Sequence, residues 1–463
     1  MEEQTSPVHL CIFEDARYTN FIPLVLNRPV FDLFLGTQPL GQRIVDEIDP
    51  QTVSLVCRSY LSAALKTQRE TEEHPYETLV GELTDGETIF LNGRLLTYGT
   101  ELGSLIESLG SGAMAHKKGV PVAAKLSGGE ASAFLEKISE PLTDEAVQKD
   151  MQALEKRAAA VSDEQQADLA EEAGYPLVRW AEEREIETTE TNVKLLSFYW
   201  QLIDENSACI RDDYEKNPLR GSAPDAALFK GVDVINEEDI VIGAEVEGRS
   251  GTVLDASEGP IVIADRVGIE PNAIINGPCY IGEGSIVRGG AKLGQGTSLG
   301  KYCRIGGEVE ESIILPYTNK QHEGFLGHSY IGSWVNIGAG SCNSDLKNNY
   351  SHVKAWCAGA IKETGRMFLG VIVADHAKIA INTRINTGTV IGFNSNVLTD
   401  GFPPKFIPSF TWTLDPEPVE FDLEKAILTA RRMMDRRNVE FSADMEQLFK
   451  TIHRFCRQSG RTI

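Results

Sequence analysis

The feature that most restricts this chain is a six-residue period in its second half. Aliphatic residues fall at Ile263, Ile269, Ile275, Ile281, Val287, Leu293, Leu299 and Ile305 without a miss. Four residues after each come Val267, Ala273, Cys279, Ser285, Ala291, Thr297, Cys303 and Val309, mostly small. The same register returns at Val373, Ile379, Ile385, Ile391 and Val397. A period of six fits neither a helix nor a flat strand. It fits short strands wound into a parallel β-helix, three faces per turn and about 18 residues per coil. The aliphatic residue points inward and the small one fills the crowded corner. Glycine follows the aliphatic position in Gly282, Gly294, Gly300 and Gly306, where it is expected to let the backbone turn. The solenoid is expected over roughly residues 232–400. Two interruptions are expected, a loop near residues 313–326 and an irregular stretch through 343–371. A solenoid of this kind can also be purely structural.

The first half has a different texture. VHLCIFED, TVSLVCR and ETIFLNGRLL read as strands, and GQRIVDEID reads as a helix between them. Strands separated by helices predict an α/β domain with a mostly parallel sheet. Residues 127–190 hold 17 acidic and 6 basic residues with apolar positions at helical spacing, which predicts a helical insertion or lid with a solvated face. NVKLLSFYWQLIDENSACIRDDY then reads as an amphipathic helix joining the halves. After the solenoid, residues 421–458 read as helical, with Arg431, Arg432, Arg436 and Arg437 making one face basic. The expected organisation is an α/β domain over 1–225 containing the 127–190 insertion, a β-helix over 226–412, and a helical segment over 413–463.

Composition narrows the partners. With 44 Lys plus Arg against 68 Asp plus Glu, the net charge of −24 argues against nucleic acid and against an anionic membrane surface. No apolar run approaches the length of a membrane span. The N-terminal stretch MEEQTSPVHLCIFEDARYTN lacks an apolar signal core. The eight cysteines form no CxxC pair and no disulfide-scaffold pattern. A cytoplasmic protein is expected.

FEDARYTNFIPLVLNRPVFDL, FLNGRLL and TNKQHEGFLGHSYIGSWVNIGAG together resemble the GlmU-like family of bifunctional sugar-1-phosphate nucleotidylyltransferases and acetyltransferases, over most of residues 8–412. The resemblance implies a Rossmann-like nucleotidyltransferase domain followed by a left-handed parallel β-helix. It implies a homotrimer, because β-helix acyltransferases of this type build their sites between subunits. IGEGSIVRGGAKL matches the family stretch that carries a phosphate-binding arginine, which puts Arg288 in that role. A guanidinium suits a sugar phosphate because its donors can meet two oxygens. HEGFLGHSYIGSWVNIGAG puts His322 on the catalytic histidine, Asn336 on a sugar- and acyl-site asparagine, and Ala339 on a residue whose backbone meets acetyl-CoA. A histidine near its ordinary pKa can take the proton of an amine that attacks a thioester.

This chain departs from the family pattern at several points. The tyrosine three residues after the histidine is Phe325, and the second phosphate contact falls on Ser312, leaving Lys320 as a substitute. His328 is a second histidine six residues on, and His322 can instead be a packed loop residue. Asn336 can equally belong to an asparagine ladder.

The phosphate-wrapping glycine loop of the family is absent from CIFEDARYTNFIPLVLNRPV. Arg17 and Arg28 can carry its positive charge, with Asn27-Arg28-Pro29 in place of the usual Pro-Lys pair. Asn92 stands near the metal-binding aspartate of the family, so Asp15 or Glu14 would have to hold Mg²⁺. Arg94 can contact phosphate, and Asn92-Gly93 can be a plain tight turn.

Three readings follow. The first is a transferase of nucleotide-sugar and cell-envelope synthesis, resembling a UDP-N-acetylglucosamine diphosphorylase. Its substrates would be a sugar phosphate, a nucleoside triphosphate and acyl-CoA, with Mg²⁺ for nucleotidyl transfer and acetyl-CoA as co-substrate. The second keeps only the acyltransferase on a degenerate front domain. The third is a non-catalytic assembly protein that binds nucleotide sugars.

Overall fold

The computed structural model describes residues 8–72, 75–99, 102–159, 175–221, 231–413, 417–460 and 463. The first seven residues of the N-terminal stretch and residues 160–174 of the acidic segment lie outside the described residues.

The N-terminal half is built on a seven-stranded sheet. Its order is Glu77–Val80, Thr52–Val56, His9–Phe13, Glu87–Asn92, Val120–Ser127, Ala113–Lys117, Glu187–Glu190. The first four strands are mutually parallel, and Val120–Ser127 runs antiparallel to both neighbours. His9–Phe13 is buried at every position, as expected of a central strand covered on both faces. From it the chain winds outward in one direction through Thr52–Val56 to Glu77–Val80. It then returns to the other side with Glu87–Asn92. That reversal creates a topological switch point at the carboxyl ends of His9–Phe13 and Glu87–Asn92, where ligands bind in open α/β sheets. The acidic segment supplies the helices Gly128–Ser139, Asp144–Ala159 and Tyr175–Glu182, and then an edge strand, Glu187–Glu190, which its charge pattern does not predict.

The helix Trp200–Glu215 leads into a three-sided parallel β-helix. Its sides are stacks of six, nine and ten strands, with a two-stranded stack that carries the shortest side on. The eight aliphatic positions from Ile263 to Ile305 are at most 1% exposed and line the interior. The glycines after the aliphatic positions play a different part from the expected one, and the left-handed glycines are others, such as Gly284, Gly290 and Gly296 with φ between 64° and 74°. Other left-handed corners are occupied by Tyr302, Tyr317, Trp334, His376 and Asn394, all with φ between 56° and 65°. Gly282 has no positive φ; a Cβ there would lie 2.6 Å from the Gly300 backbone of the next coil. Close approach between coils, rather than turn conformation, requires that glycine.

The expected loop at 313–326 is a coil of the solenoid. Ile313–Ile314, Asn319–Lys320 and Phe325–Gly327 each join one of the three sides. The period is hidden because this coil is short, with Ile314 only fifteen residues after its partner Leu299. It is hidden again because Lys320 takes the inward position above Ile305. The second irregular stretch is a genuine insertion. It projects an antiparallel hairpin, Lys354–Cys357 with Ala360–Glu363, whose Trp356 and Cys357 are buried in the core of the α/β half. Residues 421–458 form two helices, Leu423–Asp435 and Ala443–Gln458, and the second packs against the α/β half through Phe455, which meets Tyr60, and against the solenoid through Phe449, which meets His376 and Phe393. One continuous apolar cluster therefore joins the α/β sheet, the hairpin and the C-terminal helices. A second cluster fills the solenoid. No helix among the described residues is long and apolar enough to cross a membrane.

Candidate functional site

The switch-point crevice gathers Asp15, Arg17, Asn92 and Arg94, as the sequence suggests, but closes them on one another. Asp15 lies two residues past its strand and caps the short turn Ala16–Phe21, accepting from the Arg17 N–H at 3.0 Å. Arg94 Nε donates to Asp15 Oδ1 at 2.9 Å, and Arg94 Nη2 donates to Oδ2 at 2.5 Å. Asn92 Nδ2 donates to Oδ2 at 2.9 Å. Four donors thus occupy the four lone-pair positions of the carboxylate. Burial pushes the Asp15 carboxyl up, but the charge and hydrogen bonds of Arg94, with Asn92 and Arg17, leave it below the usual carboxylate range.

This constellation does not suit Mg²⁺, which needs an oxygen free to ligate. Among the described residues no group of three or more His, Cys, Asp or Glu side chains could hold a metal. Glu14, the other candidate, is fully buried and meets Arg58 with both oxygens, at 3.1 Å each. Arg94 is equally buried and is committed to Asp15 and the Leu196 carbonyl, so it is a structural cation and not a phosphate ligand. Asn92 also donates to the Pro121 carbonyl and accepts from the Arg94 N–H, which makes Asn92-Gly93 the tight turn.

Arg28 points away from this crevice. It pairs with Asp375 on the β-helix, and Asn27 Nδ2 donates to the same carboxylate at 3.0 Å. The Asn27-Arg28-Pro29 segment docks one half of the chain onto the other.

On the β-helix, Lys320 is the clearest correction. Its side chain enters the solenoid interior, where Nζ donates to the carbonyls of Gly306 at 2.7 Å, Gly324 at 2.6 Å and His322 at 3.3 Å. Burial lowers its pKa to about 8. It secures the backbone of the His322 turn and is not placed to meet a substrate phosphate. Gly307 completes this packing: at φ +73° a Cβ would stand 2.8 Å from Lys320 Nζ. Arg288 is partly exposed and paired with Glu270 at 2.7 Å, an arrangement a phosphate can displace at little cost. His322 and Asn336 are exposed, and the His322 ring makes no hydrogen bond to the described residues. Phe325 and Ala339 are half-buried, and the Ala339 carbonyl accepts from Asn382 of the next coil.

His328 has the more developed setting. Its Nδ1 lies 2.8 Å from Asp345 Oδ2, and its ring stacks on Phe368 with centroids 5.0 Å apart. Asn343 fixes the turn by accepting from the Gly327 N–H and donating to the Gly327 carbonyl, both at 3.0 Å. The His328 side chain is 24% exposed, so its other nitrogen can face solvent. A carboxylate on one nitrogen orients the ring. Asp345 escaped the sequence reading. The available signal was spacing, because it lies seventeen residues after His328, one coil on.

Residues 10–217, which hold the α/β sheet, match the family model described as sugar nucleotidyl transferase. The chain is similar to the bifunctional protein GlmU of Carboxydothermus hydrogenoformans, 25% identical over 207 residues, which is 39% of this chain and 42% of that protein. The bifunctional protein GlmU of Burkholderia vietnamiensis is 26% identical over 225 residues, 43% and 46% of the two chains. The bifunctional sugar-1-phosphate nucleotidylyltransferase/acetyltransferase of Sulfurisphaera tokodaii is 33% identical over 143 residues, 29% and 36%. The chain thus spans less than half the length of these curated relatives. Among solved structures, the polySia specific acetyltransferase NeuO aligns with 45% of this chain and 98% of its own, at 12% identity and a TM-score of 0.29. The UDP-N-acetylglucosamine acyltransferase from Campylobacter jejuni aligns with 48% and 93%, at 11% identity and a TM-score of 0.25.

Proposed function

We propose that this chain is a transferase of nucleotide-sugar metabolism whose β-helix acetylates the amine of an amino-sugar phosphate with acetyl-CoA. The observation that supports this most is the His328–Asp345 pair, held at 2.8 Å on a partly exposed corner of the solenoid. The amine nitrogen attacks the thioester carbon and the C–S bond breaks. The free nitrogen of His328 takes the amine proton and returns it to the departing thiolate, so the products are an amide and CoA thiol. Asp345 stabilises the imidazolium formed between these steps. Arg288 would meet the sugar phosphate after releasing Glu270. Asn336 and Ala339 would contact the sugar and the acyl donor, in the roles their family positions imply. A homotrimer is the expected assembly, and the cytoplasm, where acyl-CoA is available, is the expected location.

The test is CoA thiol release over a panel of amino-sugar phosphates and nucleotide-linked amino sugars. Absence of release across the panel removes the proposal.

A second reading is favoured by the family match over residues 10–217. In it the α/β half joins a sugar 1-phosphate to a nucleoside triphosphate. Asp15 as placed offers Mg²⁺ no ligand, so this reading needs a metal site that excludes Asp15. Pyrophosphate release with any sugar 1-phosphate would establish it. Binding of nucleotide sugar without turnover would leave the α/β half as a scaffold or sensor.

A further inference from the structure

A cavity of about 340 Å³ lies between one side of the β-helix and the end of the helix Leu423–Asp435. Its floor is a column of outward residues on successive coils, Arg304, Asn319, Asn336 and Lys378, which pair in register. Coils stack at about 4.8 Å, so the two cations at the ends of this column stand roughly 14 Å apart, with two amides between them. Arg436 and Arg437 enter from the helix side. Three arginines therefore border one space in a chain whose net charge is −24, with Lys378 beside them, its Nζ donating to the His376 carbonyl and to Asn394 Oδ1 at 3.3 Å.

The three arginines have no carboxylate partner among the described residues. Among the described residues, no carboxylate lines the cavity and none of Arg304, Lys378, Arg436 and Arg437 makes an ion pair. Arg437 Nη2 donates to the neutral Asn319 Oδ1 at 2.9 Å. Arg304 Nε is buried without a hydrogen-bond partner among the described residues. Burial and then the neighbouring Arg304 charge lower Arg437 below the usual arginine range. Burial lowers Lys378 to about 7. Like charges collected without a counter-ion oppose folding, so a cluster of this kind is the signature of an anion site. A helix C-terminus accounts for one nearby cation at most, because its field fades within a turn.

We propose that this cavity binds a small molecule carrying two or more phosphate groups. The spread of Arg304, Lys378, Arg436 and Arg437 exceeds the reach of a single phosphate and suits a diphosphate. Guanidinium forks supply bidentate contacts. The amides of Asn319, Asn336 and Gln321 remain for hydroxyls or further phosphate oxygens. Tyr317 and Trp334 are stacked on each other, with centroids 4.2 Å apart, and form a rigid wall. The volume lies at the lower end of the range for small-molecule sites. The proposal does not use His328, but it shares Asn336 with the transferase reading, and it uses a helix whose basic face that reading leaves unexplained.

The experiment is isothermal titration of the full chain at low salt with pyrophosphate, ADP and CoA, in wild type and in Arg304→Gln/Arg437→Gln. Binding of at least one probe is expected, with roughly 10- to 100-fold loss in the double variant and falling affinity as salt rises. Equal binding of pyrophosphate and ADP would identify a general diphosphate site, whereas binding of CoA alone would identify the acyl donor as its source. If the double variant does not fold, the exposed Arg436→Gln carries the test, with an expected loss of several-fold. Failure of all three probes to bind wild type overturns the proposal, as does unchanged affinity in a folded variant.

Discussion

Arg94 holds both oxygens of Asp15 at the carboxyl end of the central strands, and in doing so fills the crevice where a sheet of this topology would receive a ligand. The pair is anchored further by Asn92 and by the Leu196 carbonyl. Removing the cation would leave a carboxylate with little solvent to replace it. Arg94→Met is expected to destabilise the fold by about 3 kcal/mol, measured by urea unfolding at pH 7. Asp15 sits below its ordinary pKa in the folded state. Its contribution is therefore complete above the usual carboxylate range and fades as pH falls through the depressed value. In Arg94→Met the acid unfolding midpoint should move to higher pH. An unchanged midpoint would show that Asp15 is held by other groups.

Lys320 gives a prediction of the same sign in a more alkaline window. Its pKa falls to about 8 in the folded state, below the value of an unfolded lysine near 10.4. The unfolded chain then binds more protons between these values, so stability rises with pH across that window. The gain is at most about 3 kcal/mol. Lys320→Met should lack this rise, while exposing the loss of three hydrogen bonds to carbonyls around His322. Parallel unfolding series for both proteins between pH 7.5 and 10.5 check it. Equal slopes would mean that the ammonium reaches water.

These two residues also show what the sequence could and could not disclose. The solenoid is legible because an inward aliphatic every six residues leaves a one-dimensional trace, and all eight positions from Ile263 to Ile305 are buried. The trace fails where Lys320 replaces an aliphatic in a shortened coil, although the backbone continues the winding. Site residues are harder, because their partners are fixed by topology. Asp345 reaches His328 across one coil, Asp375 reaches Arg28 across 347 positions, and Asp15 meets Arg94 only because two strands lie side by side. Residue types alone marked Asp15, Arg28 and Arg94 as free charges. The geometry assigns each a partner.

The two halves should unfold together. Tyr330 of the β-helix accepts from the Phe34 N–H at 2.9 Å and donates to the Phe34 carbonyl at 3.2 Å, from a fully buried position. Tyr330→Phe removes both bonds and little volume, leaving a backbone donor and acceptor unpaired. A loss of about 1–3 kcal/mol is expected. Fluorescence and far-ultraviolet circular dichroism should still report one coincident transition, because the apolar cluster that joins the halves is untouched. Two separated transitions would show that the halves are thermodynamically independent.

The histidines separate cleanly by kinetics. If His328 is the base, His328→Ala should lower kcat for acyl transfer by roughly 10²- to 10⁴-fold, with a smaller change in KM. Asp345→Asn keeps the shape of the pair but removes the charge that orients the ring, so it should follow His328→Ala in direction. Combining the two should add little, since residues that act as a unit are not additive. His322→Ala, which alters a ring with no hydrogen bond to the described residues, should leave kcat within a few-fold and leave stability unchanged within about 0.5 kcal/mol. The reverse pattern, with activity lost in His322→Ala and kept in His328→Ala, would move the base to the exposed turn that Lys320 secures. His328 and Asp345 would then be a structural pair joining adjacent coils.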